Sequence, residues 1–149
     1  MQKNEKAFDF TLVDQDGNER TLSKMLVDGP VVLFFYPAAL SPGCTRESCH
    51  FRDLNSEFVE LGAQPVGISL DNPELQAQFA KKNGITYPLL ADVDGVVARH
   101  FGVKRALNIL KVKRATFVIN QDLTIREVIS SEISMNAHAD RALAALRDH

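Results

Sequence analysis

The sequence lacks the features that would make it a nucleic-acid binder, a disulfide-built secreted protein or a membrane protein. It has no tryptophan, only two cysteines, a net charge of -2 and no long apolar run. Two cysteines in 149 residues are too few for a disulfide framework and are expected to be reduced or catalytic. No Cys-x-x-Cys pair supplies a zinc or redox signature; His50 adjoins Cys49, but His100, His138 and His149 stand at no zinc-type spacing. Neither a metal nor another cofactor is expected. The near-balanced charge gives no electrostatic reason to bind nucleic acid or an anionic membrane. The polar start Met1-Gln2-Lys3-Asn4-Glu5-Lys6 leads into no hydrophobic stretch, so neither a signal peptide nor a spanning helix is expected, and the cytoplasm is the expected compartment. No repeat, linker or low-complexity tract divides the chain, and residues 1–149 are expected to form a single domain.

What is present is a succession of short strands and amphipathic helices. Phe8 to Val13 alternates like a half-buried strand, and the turn cluster Asp14 to Asn18 leads into Glu19 to Leu22, which predicts an N-terminal β-hairpin. Ser23 is placed to cap a brief helix through Leu26, stopped by Asp28-Gly29-Pro30. Val31-Val32-Leu33-Phe34-Phe35-Tyr36 is a continuous apolar run, as in a strand buried on both faces. Pro37 to Gly43 reads as a shaped loop, with Cys44 at the start of a helix that carries Phe51, Leu54, Phe58 and Leu61 as one stripe.

Further strands are predicted over 64–70, 87–91, 115–119 and 124–129, and helices over 74–83, 96–101 and 136–146, with 104–113 unassigned. The short turn at 120–122 predicts an antiparallel pair. Lys111, Lys113 and Arg114 form a small basic run of the kind that usually edges a loop. The order implies an α/β fold, a mixed central sheet flanked by helices. Active residues in such sheets lie where strands end and helices begin, and Cys44 stands at such a junction.

A cysteine at a helix N-terminus is drawn toward its reactive thiolate form. Cys49 is five residues on, which on an intact helix puts the two Cα atoms about 8.6 Å apart and rotates them by about 140°. A disulfide needs less than about 7 Å, so the pair cannot bond while the helix is formed. Cys44 continues the inward direction of Phe51 and Phe58, whereas Cys49 points elsewhere. From spacing alone, both thiols as small core residues remains an open reading.

The segment Tyr36-Pro37-Ala38-Ala39-Leu40-Ser41-Pro42-Gly43-Cys44-Thr45 closely resembles the Pro-x-x-x-Thr/Ser-x-x-Cys motif of peroxiredoxins. With Cys49, it is similar to the Q-type subfamily, also called bacterioferritin comigratory protein. The similarity extends through Phe51-Arg52-Asp53, Gly67 to Asp71, Tyr87 to Asp92 and Arg114 to Ile119. It implies a thioredoxin-like fold and a thiol-dependent peroxidase, serving antioxidant defence, that reduces hydrogen peroxide and organic hydroperoxides. By position, Cys44 is then the peroxidatic cysteine, with Pro37, Ser41 and Arg114 completing the site. Cys49 is then the resolving cysteine of an intramolecular disulfide.

Ser41 is expected to donate a hydrogen bond to substrate oxygen, Arg114 to hold the thiolate and peroxide, and Glu47 to orient Arg114. Ser41 stands where threonine is more usual, and Ala38 and Leu40 where polar or aromatic residues are often found. The expected partners are a peroxide and a thioredoxin-like dithiol reductant, with the chain a monomer or weak dimer. A thiol-disulfide oxidoreductase and a peroxide-sensing redox module on the same fold are the alternative readings.

Overall fold

The apolar run at the centre of the sequence becomes the centre of a sheet. In the computed structural model, which describes residues 1–104, 112–132 and 134–148, β3 (Val31–Phe35) is wholly buried. It pairs in parallel with β4 (Gln64–Ser69) and antiparallel with β6 (Ala115–Ile119). Alternation assigns its side chains to two cores. Val31, Leu33 and Phe35 face one layer, and Val32 and Phe34 face the other, joined by Tyr36 just beyond the strand.

Among the described residues the sheet has seven strands, in the order β2-β1-β5-β4-β3-β6-β7. The N-terminal hairpin of β1 (Thr11–Val13) and β2 (Glu19–Thr21) lies at one edge beside β5 (Leu89–Ala91), and β7 (Ile125–Ser130) lies at the other. Helices α1 (Leu22–Met25) and α5 (Val96–His100) bury residues in the first layer. The second layer holds α2 (Pro42–Asp53), α3 (Asn55–Glu60), α4 (Pro73–Asn83) and α6 (Met135–Arg147). This is the expected mixed sheet flanked by helices. Among the described residues, no helix is long and apolar enough to cross a membrane.

Several boundaries differ from the sequence reading for identifiable reasons. Ser23 lies inside α1, not at its cap; its N–H donates to Asp9 Oδ1 at 2.9 Å, so Asp9 supplies the acceptor expected of Ser23. Helix α2 begins at Pro42, whose missing N–H costs nothing at the first helical position, so Cys44 lies in its first turn. The expected single stripe is broken at Leu54 (φ -95°, ψ 5°), which separates α2 from α3. Phe51 and Phe58 nevertheless share one core, with ring centroids 5.7 Å apart. In the basic run, Lys113 is exposed but Arg114 is buried, so only the former is a solvated edge; Lys111 lies outside the described residues, as does His149.

Gly29 joins the end of the first helical segment to β3 at φ +149°, and a Cβ there would stand 1.8 Å from the Gly62 carbonyl oxygen. Gly17 also has a positive φ of +84°, but nothing lies within 4 Å of its notional Cβ. Gly29→Ala is therefore expected to cost more than about 2 kcal/mol and Gly17→Ala only about 1 kcal/mol. Urea denaturation midpoints of the two variants check this; equal losses would contradict the assigned backbone contact.

Candidate active site

The site forms where the end of β3 lies beside the start of β6. Their antiparallel register sets Phe35 against Ala115, so Arg114, just before β6, is carried to the loop that follows β3. That loop, residues 37–41, is tied to the neighbouring strand end. Ala39 N–H donates to Asp71 Oδ2 at 2.6 Å, and Ser69 Oγ donates to the same oxygen at 2.7 Å. Gln76 joins this tie by donating to Ser69 Oγ at 3.1 Å and accepting from the Tyr36 hydroxyl. The loop also holds Leu40 at φ +67°, a left-handed conformation uncommon for a leucine, with Pro37 half-buried at its start.

Ser41 is the N-cap residue of α2, but its side chain does not cap the helix. Its hydroxyl instead donates to the Ala38 carbonyl at 2.9 Å. This changes the part expected of it: with the proton so committed, the oxygen is left as an acceptor. Two residues on, Gly43 makes room for the guanidinium. A Cβ at Gly43 would stand 3.3 Å from Arg114 Nη2 and 3.5 Å from Met135 Sδ.

Cys44 is fully buried, and Arg114 Nη2 donates to its Sγ at 3.3 Å. The other terminal nitrogen, Nη1, donates to Glu47 Oε1 at 2.7 Å. The guanidinium thus spans the thiol and the carboxyl group of the next helical turn. Burial works against the charge on Arg114, but the Glu47 and Cys44 charges outweigh it and raise its pKa. Burial also dominates at Glu47, whose carboxyl is pushed up to about 8 against the opposing pull of Arg114.

Cys49 lies apart from this cluster. Its half-buried thiol donates a long hydrogen bond of 3.7 Å to Asn83 Oδ1 at the end of α4. Both cysteines are free thiols on the continuous helix α2, as helical spacing requires. The structure therefore brings Ser41, Cys44, Glu47, Arg114 and Pro37 to one strand-end region and leaves Cys49 on another face. It also adds residues that the sequence reading missed. His138 is buried beside Glu47 and in contact with the buried Thr116, and the Asp71, Ser69 and Gln76 chain anchors the loop. The available signals were polar residues within apolar patterns: Thr116 inside Ala-Thr-Phe-Val-Ile, and His138 on the buried stripe of α6. Among the described residues, no group of three or more His, Cys, Asp or Glu is arranged to hold a metal.

The AhpC/TSA family matches residues 4–128. Peroxidoxin BcpB from Mycobacterium tuberculosis has a crystal structure that is 57% identical, covering 99% of this chain and 97% of that chain with a TM-score of 0.95. A Xanthomonas campestris bacterioferritin comigratory protein, whose structures are described in terms of alkyl peroxide reduction, is 30% identical over 94% of this chain and 91% of its own, with a TM-score of 0.87. Chloroplastic peroxiredoxin Q of Sedum lineare is 38% identical over 93% of this chain and 74% of its own length. These similarities agree with the thioredoxin-like architecture.

The elevated Glu47 carboxyl has a consequence for stability. Its folded value lies above its ordinary 4.5, so the folded chain retains this proton where the unfolded chain releases it. The stabilisation is complete below about pH 4.5 and is lost as pH rises through about 8. Between pH 5 and 9 the unfolding free energy is expected to fall by on the order of 1–3 kcal/mol relative to a Glu47→Gln variant. Denaturant titrations of both proteins across that range test it; parallel profiles would remove Glu47 as the source.

Proposed function

The chain belongs to the AhpC/TSA family of peroxiredoxins, which are thiol-dependent peroxidases, and from that premise we propose that Cys44 is its peroxidatic cysteine. The observation that carries this assignment is the 3.3 Å approach of the buried Arg114 guanidinium to Cys44 Sγ in the first turn of α2. A fixed positive charge favours thiolate over thiol, and the same donors are suited to the negative charge that develops on a leaving oxygen.

In the proposed reaction, the Cys44 thiolate attacks one peroxide oxygen and the O–O bond breaks. The bonding pair leaves with the other oxygen, which takes a proton and departs as water or alcohol; Cys44 becomes a sulfenic acid. Arg114 stabilises the charge in this step. Ser41 Oγ accepts a hydrogen bond from the peroxide, Pro37 shapes the pocket, and Glu47 orients Arg114. Hydrogen peroxide and organic hydroperoxides are the proposed substrates, and the alkyl peroxide chemistry attached to the Xanthomonas relative supports including the latter.

Cys49 is the proposed resolving residue. Its sulfur attacks the sulfenic sulfur, water leaves, and an intramolecular disulfide forms after the first turns of α2 unwind. A thioredoxin-like dithiol protein then reduces the disulfide by exchange. This cycle is complete within one chain, which supports a monomer or weak dimer built as a single domain. Its need for a dithiol reductant supports a cytoplasmic setting and a role in antioxidant defence.

Cys44→Ser is expected to abolish peroxide turnover. Cys49→Ser is expected to consume about one equivalent of peroxide per chain and then stall with thioredoxin. An assay coupled to NADPH, thioredoxin reductase and thioredoxin, with hydrogen peroxide and an organic hydroperoxide in parallel, measures both. Sustained cycling by the Cys49 variant would contradict its resolving role, and a single oxidation without cycling by the unaltered protein would favour a peroxide sensor.

A further inference from the structure

One fully buried hydroxyl stands between the two cysteines, and the proposed reaction does not use it. Ser48 lies on α2 with no exposed surface, and its Oγ has no hydrogen-bond partner among the described residues. Glu47 Oε2 and Arg114 Nε share that condition, but each belongs to a side chain that is bonded through another atom. Ser48 has only the one oxygen. A serine inside a helix commonly donates to the carbonyl four residues back, here that of Cys44, and Ser48 does not. Its hydroxyl is held out of water with nothing in exchange, which counts against the folded helix.

The unbonded hydroxyl sits where the helix has to give way. At about 100° per residue, Ser48 falls within about 60° of both Cys44 and Phe51 around α2. Those two neighbours are fully buried in the second core layer. A helical side chain leans toward the N-terminal end of its helix, so the Ser48 hydroxyl rests over the turn that carries Cys44. From Ser48 onward the chain is tied: its carbonyl accepts from the Tyr87 hydroxyl at 2.7 Å, and Cys49 Sγ donates to Asn83 Oδ1 at 3.7 Å. Opening residues 44–47 uncovers the hydroxyl and gives it water while the Tyr87 tie stays in place.

We propose that Ser48 sets how readily the start of α2 opens: its unsatisfied hydroxyl destabilises the folded helix at the turn that must unwind before Cys44 can join Cys49. Ser48 acts through the helix and not on the peroxide. The Cys44 sulfenic acid has two fates. Cys49 attacks its sulfur and water leaves, or a second peroxide transfers one oxygen to that sulfur, giving a sulfinic acid and water or alcohol. The first fate requires the open helix, so ready opening also limits overoxidation.

The effect on resolution presupposes Cys44 as nucleophile and Cys49 as resolving residue; one arm of the test needs neither. Ser48→Ala removes the hydroxyl. Alanine also favours helices in general, so Thr45→Ala, at a half-buried position in α2, is the control for propensity. In the reduced protein, amide hydrogen exchange at residues 44–48 is expected to slow about tenfold in Ser48→Ala and about threefold or less in Thr45→Ala.

The second arm adds hydrogen peroxide, at one equivalent and in excess, followed by acid quench, thiol alkylation and intact mass, which separates sulfenic acid, disulfide and sulfinic acid. In Ser48→Ala, disulfide formation is expected to slow about tenfold, and sulfinic acid to appear at about tenfold lower peroxide. The first oxidation, measured by competition with horseradish peroxidase, is expected to stay within about twofold of the parent, a split that a general loss of structure would not produce. Exchange in Ser48→Ala no slower than in Thr45→Ala, or disulfide formation at the parent rate despite slower exchange, would overturn the proposal. Were the parent to form no disulfide between Cys44 and Cys49, the resolving role of Cys49 would fail, while the exchange result would still decide whether Ser48 governs the opening.

Discussion

The candidate site depends on one buried cation held between two acceptors of opposite consequence. Arg114 gives Nη2 to Cys44 and Nη1 to Glu47. The first contact sets a positive charge against the Cys44 sulfur; the second secures the planar guanidinium in the orientation that makes the first possible. A lysine would supply charge but not this two-sided geometry. Because the site is buried, every proton on a neighbouring group changes the charge that Arg114 presents, and this links the thiol to Glu47.

The helix that carries Cys44 has two requirements in tension. It must be formed to set Cys44 against Arg114, and its first turns must open for the proposed disulfide. Its polar ties lie largely beyond the first turn. The Tyr87 hydroxyl donates to the Ser48 carbonyl at 2.7 Å, Arg52 donates to the Asn83 carbonyl, and His50 pairs with Asp140 at 2.8 Å. The stacked Phe34 and Phe51 rings, 4.2 Å apart, hold the same part of the helix on the sheet. Anchoring the C-terminal part while the N-terminal turns open is a local equilibrium, and its free energy is set by these contacts as well as by the thiol.

Much of the fold was legible because its local patterns agreed with its tertiary context. The run Val31 to Phe35 was apolar on every residue, which only a strand covered on both faces accommodates, and two helical layers cover it. The short turn after Ile119 required β6 and β7 to be antiparallel. The misplaced features have equally local causes. Leu54 continues the apolar stripe but not the helix, and Ser23 has capping chemistry but Asp9 supplies the bond. In the site, the family-like motif pointed to Pro37, Ser41, Cys44 and Arg114, but not to the hydroxyl direction of Ser41, which follows from the fold of the 38–41 loop.

By itself the sequence determined the alternation of strands and helices, the placement of Cys44 in the first helical turn, and the separation that keeps Cys49 from it. These are consequences of short-range periodicity and helix geometry. Only the tertiary structure decided that Arg114, 70 residues beyond Cys44, reaches its sulfur, and that His138 backs Glu47. Those meetings require the β3–β6 register and the packing of α6 on α2. Contacts that long-range pairing creates leave no spacing in the chain from which to read them.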